Sequence, residues 1–197
     1  ELIENHDFEI GEGKIEKVDI MKPYQSMLKE KITLERPLKV VIDCGNATAC
    51  LSAPQIFNDM GIDTTELYCD VDGTFPNHHP DPTVPKNMEQ LIEAVKKNNC
   101  DIGLAFDGDG DRLGVIDNKG NIIWADQYML LLAKEIATLY DNPKIIMDVK
   151  CSKVFFDESR KFNCEPIMFK TGHSPIKEKM KELNSPLSGE MSGHVCY

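Results

Sequence analysis

Apolar and polar positions along this chain switch between a strand period and a helix period, and the switches mark its elements. LKVVIDC (Leu38–Cys44) is a short β-branched run that closes on Cys44, Gly45 and Asn46, the pattern of a buried strand. A helix is expected from about Ala47 to Met60, with Gly61 at its C-terminal stop, and TTELYC is the next strand. The proline-rich FPNHHPDPTVP can hold no regular element. In NMEQLIEAVKKNN, Met88, Leu91, Ile92 and Val95 fall at i, i+3, i+4 and i+7 and form one helical stripe. CDIGLAF is a strand, and LGVID, NKGN and IIWA spell a hairpin.

The same alternation then begins again. DQYMLLLAKEIATLY is helical with Asp126 as its expected N-cap, KIIMDV is a strand, SKVFFDESRKF a helix and EPIMF a strand. SPIKEKMKELN is a helix with Ser174 at its cap, Pro175 at its first position and Ile176, Met180 and Leu183 on one face. The fold class is therefore α/β: two consecutive domains, each a mixed sheet flanked by helices. The expected division is a tail over 1–18, a first domain over 19–121 and a second over 122–197, with an extra helix from about Pro23 to Ile32.

Composition narrows the function. Hydrophobic residues make up 41% and charged residues 28% of the 197 positions, a globular balance. A net charge of -11 argues against nucleic acid or an anionic membrane surface as partner. The seven cysteines include no CxxC pair, which fits neither a disulfide framework nor a zinc site and suits a reducing, cytoplasmic setting. No apolar run reaches membrane-spanning length, and ELIENHDFEI does not read as a signal peptide.

The chemistry is concentrated in FDGDGDRLGVID (Phe106–Asp117), where Asp107, Asp109 and Asp111 alternate with glycine and Arg112 follows. Like charges packed so closely are costly without a cation. An EF-hand loop requires Gly at its sixth position and an acid at its twelfth; counted from Asp107 these are Arg112 and Asn118, so that motif is excluded. A solvated acidic turn leaves the three alternating acids unexplained. Three hard oxygen donors with room for further ligands suit Mg²⁺, and Arg112 suits a bidentate phosphate contact. A metal-dependent phosphatase would use Asp107 and Asp109 but would leave Asp111, Arg112 and GEMSGH without a purpose.

FDGDGDR (Phe106–Arg112), KTGHS (Lys170–Ser174) and GEMSGH (Gly189–His194), with IDCGN, FPNHHPDP and DVKCS, resemble the motifs of the α-D-phosphohexomutases, above all the bacterial phosphomannomutase/phosphoglucomutase branch. The resemblance runs over nearly the whole chain. It implies the second domain and most of the third of a four-domain enzyme, an intramolecular phosphotransferase of the isomerase class. That enzyme moves a phosphoryl group between the 1- and 6-positions of mannose or glucose through a phosphoserine and a bisphosphorylated sugar. The resemblance makes Asp107, Asp109 and Asp111 the Mg²⁺ ligands, Arg112, Lys150, His173 and His194 catalytic, and Glu190 and Ser192 sugar-binding. Residue chemistry accords with this: Lys150 follows a strand's carboxyl end, where α/β ligands collect, and His173 stands at a helix start.

Three departures accompany the resemblance. No serine loop of the family's type occurs here, so the phosphoryl donor belongs to the missing first domain, a fourth domain is also missing, and the fragment alone is expected to be inactive. CGNA (Cys44–Ala47) stands where relatives commonly have CGNG. Met191 in GEMSGH departs from the residues of glucosamine-phosphate mutases and of eukaryotic-type phosphoglucomutases. Phosphoglucosamine mutase remains an alternative, as does a non-catalytic Mg²⁺- or sugar-phosphate-binding module.

Overall fold

The computed structural model describes residues 1–9 and 11–197 and resolves the alternation into two sheets. Residues 1–9 and 11–20 are exposed, and α1 (Met21–Lys31) follows them. The first sheet has the order β2-β1-β3-β4-β5, built from β1 (Lys39–Asp43), β2 (Asp63–Leu67), β3 (Ile102–Phe106), β4 (Leu113–Asp117) and β5 (Ile122–Ile123). β1 runs parallel to both β2 and β3, while β4 and β5 return antiparallel. The second sheet has the order β7-β6-β8-β9, from β6 (Lys144–Asp148), β7 (Glu165–Phe169), β8 (Leu187–Gly189) and β9 (Val195–Cys196). There too the first three strands are parallel and the last is antiparallel. The two sheets share one wiring, although no repeat is visible in their sequences.

Burial explains the strands. Val40, Val41 and Ile42 in β1 are all buried, because β1 is central and covered on both faces. Val40 and Ile42 face α2 (Ala53–Asp59), and Val41 faces α3 (Glu89–Asn98). The stripe read from the sequence does this work: Met88, Leu91 and Val95 are buried and Ile92 packs beside them. Each such side chain contributes about 1.5–3 kcal/mol. An exposed ion pair such as Lys153–Asp157 contributes at most about 0.5 kcal/mol, so the apolar stripe decides the fold.

The two sheets are joined by a common core. Val115 of β4, with Leu113 and Ile123 packed beside it, meets Met129, Ala133 and Ile136 of α4 (Ala125–Leu139), and these meet Ile145, Met147 and Leu187 beneath. α5 (Lys153–Arg160) and α6 (His173–Leu183) complete the second layer. No helix among the described residues is long and apolar enough to cross a membrane.

The boundaries differ in places from the sequence reading. The helix expected over Ala47–Met60 is a 3-10 turn (Thr48–Leu51) followed by the shorter α2, because Ser52 breaks the helical backbone and Pro54 enters at the new start. Asp126 is not the cap of α4. Trp124 is, its N–H donated to Gln127 Oε1 three residues on, while Asp126 is buried and accepts the Ser152 N–H at the start of α5. α6 begins at His173 with Gly172 as N-cap, rather than at Ser174. The first sheet also takes in β5, past the division expected between 121 and 122.

Candidate active site

The acidic loop joins β3 to β4 at the carboxyl end of the parallel strands, the edge where α/β folds collect ligands. Asp107 is buried, whereas Asp109 and Asp111 are exposed, and one oxygen from each lies within 4.8 Å of the others. Asp111 first, and then Asp107, push the Asp109 carboxyl above its usual range by charge repulsion. A small hard cation removes that repulsion, and three carboxylate oxygens are its preferred donors. The residues present therefore fit a divalent metal.

Arg112 is locked in place at the loop's exit. Its Nε donates to Asp107 Oδ2 at 2.7 Å, its backbone N–H to Asp107 Oδ1 at 3.0 Å, and its Nη1 to Asp81 Oδ1 at 3.3 Å. Its second terminal nitrogen makes no protein hydrogen bond among the described residues, and the side chain is 27% exposed. A guanidinium anchored through Nε and Nη1, with Nη2 free, is suited to take an anion.

GEMSGH occupies the corresponding place in the second sheet, between β8 and β9. Glu190 is buried and accepts three donors: the Gly172 N–H at 2.6 Å, Ser192 Oγ at 3.1 Å, and the His194 ring through Nδ1 at 2.7 Å. The other ring nitrogen of His194 lies 3.2 Å from Asp111 Oδ2 in the acidic loop. The backbones meet as well: Arg112 and His194 form an isolated bridge, and Leu113 donates to the Gly193 carbonyl at 3.2 Å. Gly193 must be glycine here, since its φ is +102° and a Cβ would stand 2.9 Å from the Leu113 carbonyl oxygen. Buried Tyr128 on α4 clamps the junction, its hydroxyl 3.2 Å from the Leu113 carbonyl and 3.3 Å from that of Gly193.

Comparison with known proteins identifies the architecture. A family model described as phosphoglucomutase/phosphomannomutase, alpha/beta/alpha domain II, matches residues 22–120, and the model for domain III matches residues 124–197. The chain belongs to the phosphoglucomutase/phosphomannomutase family. It is 48% identical over all of its 197 residues to the phosphomannomutase/phosphoglucomutase of Pseudomonas aeruginosa, covering 42% of that protein. It is 44% identical over 186 residues to the phosphoglucomutase of Neisseria meningitidis serogroup A, covering 94% of this chain and 40% of that one. A crystal structure of a phosphoglucomutase/phosphomannomutase family protein from Burkholderia thailandensis superposes with a TM-score of 0.96 at 44% identity, over 100% of this chain and 43% of that one. The chain thus spans less than half the length of the curated relatives it matches.

Within this phosphoglucomutase/phosphomannomutase fold, the structure brings Asp107, Asp109, Asp111, Arg112, Glu190, Ser192 and His194 into one cluster, all but Asp109 tied in by hydrogen bonds or ion pairs. His173 stands next to it, its ring 6.0 Å from that of His194. Lys150 is exposed after β6 and makes no hydrogen bond or ion pair with the group among the described residues. The Met191 side chain packs against the core between the sheets, and its N–H is donated to Asp148. It therefore supports the contact between the two sheets.

Sequence reasoning missed three supporting residues. Asp81, inside the proline-rich loop, holds Arg112; burial works upward on its carboxyl, but hydrogen bonds from Thr83 and the Arg112 charge outweigh this and hold it low. His78, in the same loop, donates to buried Asp43 at the end of β1 at 2.9 Å. Tyr128 read only as part of a helix. A proline-rich loop carrying DP and HH beside an acidic motif is a signal for Asp81, but nothing local marks Tyr128.

Proposed function

We propose that the protein bearing these residues is a phosphohexomutase that interconverts the 1- and 6-phosphates of mannose or glucose through a phosphoserine and a bisphosphorylated sugar. One observation supports the reading: the His194 ring touches Asp111 of the acidic loop and Glu190 of GEMSGH at once, so the three-carboxylate cluster and the GEMSGH carboxylate adjoin one another. Phosphoryl transfer of this kind needs positioning and neutralisation of charge more than covalent chemistry.

Asp107, Asp109 and Asp111 would hold Mg²⁺, which when bound neutralises charge on the transferring phosphoryl group. Arg112 offers its free Nη2 to the phosphoryl oxygens, and its anchors on Asp107 and Asp81 lower the entropy cost of orienting it. Glu190 and Ser192 accept from and donate to neighbouring sugar hydroxyls. His173 opens α6, where the helix N-terminus and the imidazole together favour a second phosphate. Lys150, at the carboxyl end of β6, reaches the sugar phosphate from the same side. We draw the boundary between the two units after β5 rather than between 121 and 122, because β5 pairs with β4 of the first sheet. The phosphoryl donor comes from outside these residues, so the 197 residues alone bind without turnover.

Phosphorus NMR of the full-length protein with mannose 1-phosphate, Mg²⁺ and a trace of bisphosphorylated sugar tests this. The 6-phosphate should appear, and a chelator should stop it. Release of inorganic phosphate instead, or no change in the sugar phosphate, would refute the mutase reading.

A further inference from the structure

All seven cysteines are free, and three of them gather where β1 and β2 end. Cys44 is buried, Cys69 is half-buried, and their sulfurs hydrogen-bond at 3.4 Å; Cys50 lies close by, its thiol donated to the Tyr68 carbonyl at 3.4 Å. The backbone is shaped to make this meeting. Tyr68 adopts φ +52°, a left-handed conformation that costs a residue with a side chain roughly 1–3 kcal/mol, and it turns the chain between Leu67 and Cys69. We propose that Cys44 and Cys69 are a redox-reactive dithiol, oxidised by a small-molecule disulfide to an intramolecular bond that weakens the acidic loop's hold on a divalent cation.

Geometry favours closure. A disulfide has its sulfurs about 2.05 Å apart, so the pair needs only about 1.4 Å of further approach. Cys69 is the entry point because it is the less buried of the two. The hydrogen bond with Cys44, outweighing burial, holds the Cys69 thiol below its usual range, while that same bond and burial push the Cys44 thiol up, so Cys69 is the thiolate that reacts first. The Cys69 thiolate attacks one sulfur of the oxidant and expels a thiolate. Cys44 then gives up its proton, attacks the Cys69 sulfur and expels the second. Two protein thiols lose two electrons and two protons, and the oxidant leaves as two thiols.

The link to the metal loop runs through the turn that Cys44 begins. The Ala47 N–H is donated to the Cys44 carbonyl, and the backbone N–H and hydroxyl of Thr48 both donate to the Gly108 carbonyl, at 3.3 and 3.1 Å. Gly108 lies between Asp107 and Asp109. Drawing Cys44 toward residue 69 moves this turn and strains the Thr48–Gly108 contact. The dithiol stands independently of the metal reading, whereas its effect on the cation rests on that reading.

The test uses the full-length protein, reduced, treated with oxidised glutathione, and re-reduced with dithiothreitol. Peptide mass spectrometry should find a Cys44–Cys69 link two hydrogens lighter than the separate peptides. Mg²⁺ titration by calorimetry should show binding to the reduced form and about fivefold weaker binding after oxidation, the equivalent of one hydrogen bond, restored by reduction. Cys69→Ser should keep the reduced-form affinity and lose the response. A failure to link, or a link through Cys50, would overturn the dithiol. A Cys44–Cys69 link with unchanged Mg²⁺ affinity would overturn the coupling. A reduced protein that binds no Mg²⁺ would overturn the coupling and the metal reading together, with the mass spectrum still deciding the dithiol.

Discussion

The two halves of the molecule place carboxylates at matching points of one wiring and use them differently. Asp43 and Asp148 end the first strand of each sheet, and both are buried. Asp107 and Glu190 directly follow the third strand, and both are buried again. In the first half, however, the loop beyond Asp107 adds two more acids and, besides Arg112, almost no donors. In the second half, the loop beyond Glu190 supplies Ser192 and His194, and neighbouring Gly172 adds an N–H. The framework sets where the carboxylates stand. The donors in the loop set whether the acid calls for a cation or is oriented by hydrogen bonds from its own chain.

The largest break in this comparison comes from Asp109→Asn. Asp109 is exposed and its neighbours repel it, so the fold should tolerate the change while Mg²⁺ affinity falls by more than about 100-fold in calorimetry. Equal affinity would mean that the acidic loop is a solvated turn. Next comes a pair of glycines, one in each loop. Gly193→Val should cost about 3 kcal/mol in urea unfolding, because a Cβ there meets the Leu113 backbone. Gly110→Ala, also at positive φ but with only a 3.6 Å contact to Thr48, should cost about 1 kcal/mol. Similar losses would show that the loops do not rely on close approach to each other.

Tyr128→Phe removes the hydroxyl between the two loops and keeps the ring, so a loss of about 1 kcal/mol is expected from the same unfolding measurement. The smallest effect separates Asp43 from Asp148. The hydrogen bond to Asp43 raises the His78 pKa above its ordinary 6.5, outweighing burial. That stabilisation is complete below pH 6.5 and fades as pH rises through the raised folded value. Asp148 is held instead by Thr171, Cys151 and the Met191 N–H, none of which titrates as an imidazole does. Stability should therefore decline gently above pH 6.5, and His78→Asn should abolish the slope; a slope that survives places its origin elsewhere.

Much of this was legible in the chain. The buried run of β1, the stripe of α3 and the hairpin of β4 and β5 follow from periodicity, because burial on one face or two imposes it directly. Caps were harder. Asp126 looked like a helix cap and serves a different helix, since a side chain's partner depends on what the fold brings near. Asp81 and His78 sit in a loop with no period at all, and their value lies in contacts 31 and 35 residues away.

The sequence by itself determined the two α/β units and the acidic motif, because period, glycine spacing and charge crowding are local properties of neighbouring residues. Only the tertiary structure decided that the acidic loop and GEMSGH are in contact. They lie far apart in the chain, and they meet because both sheets repeat one topology and α4 packs the sheets on a shared core. That packing brings Gly193 against Leu113 and lets one imidazole reach both acids.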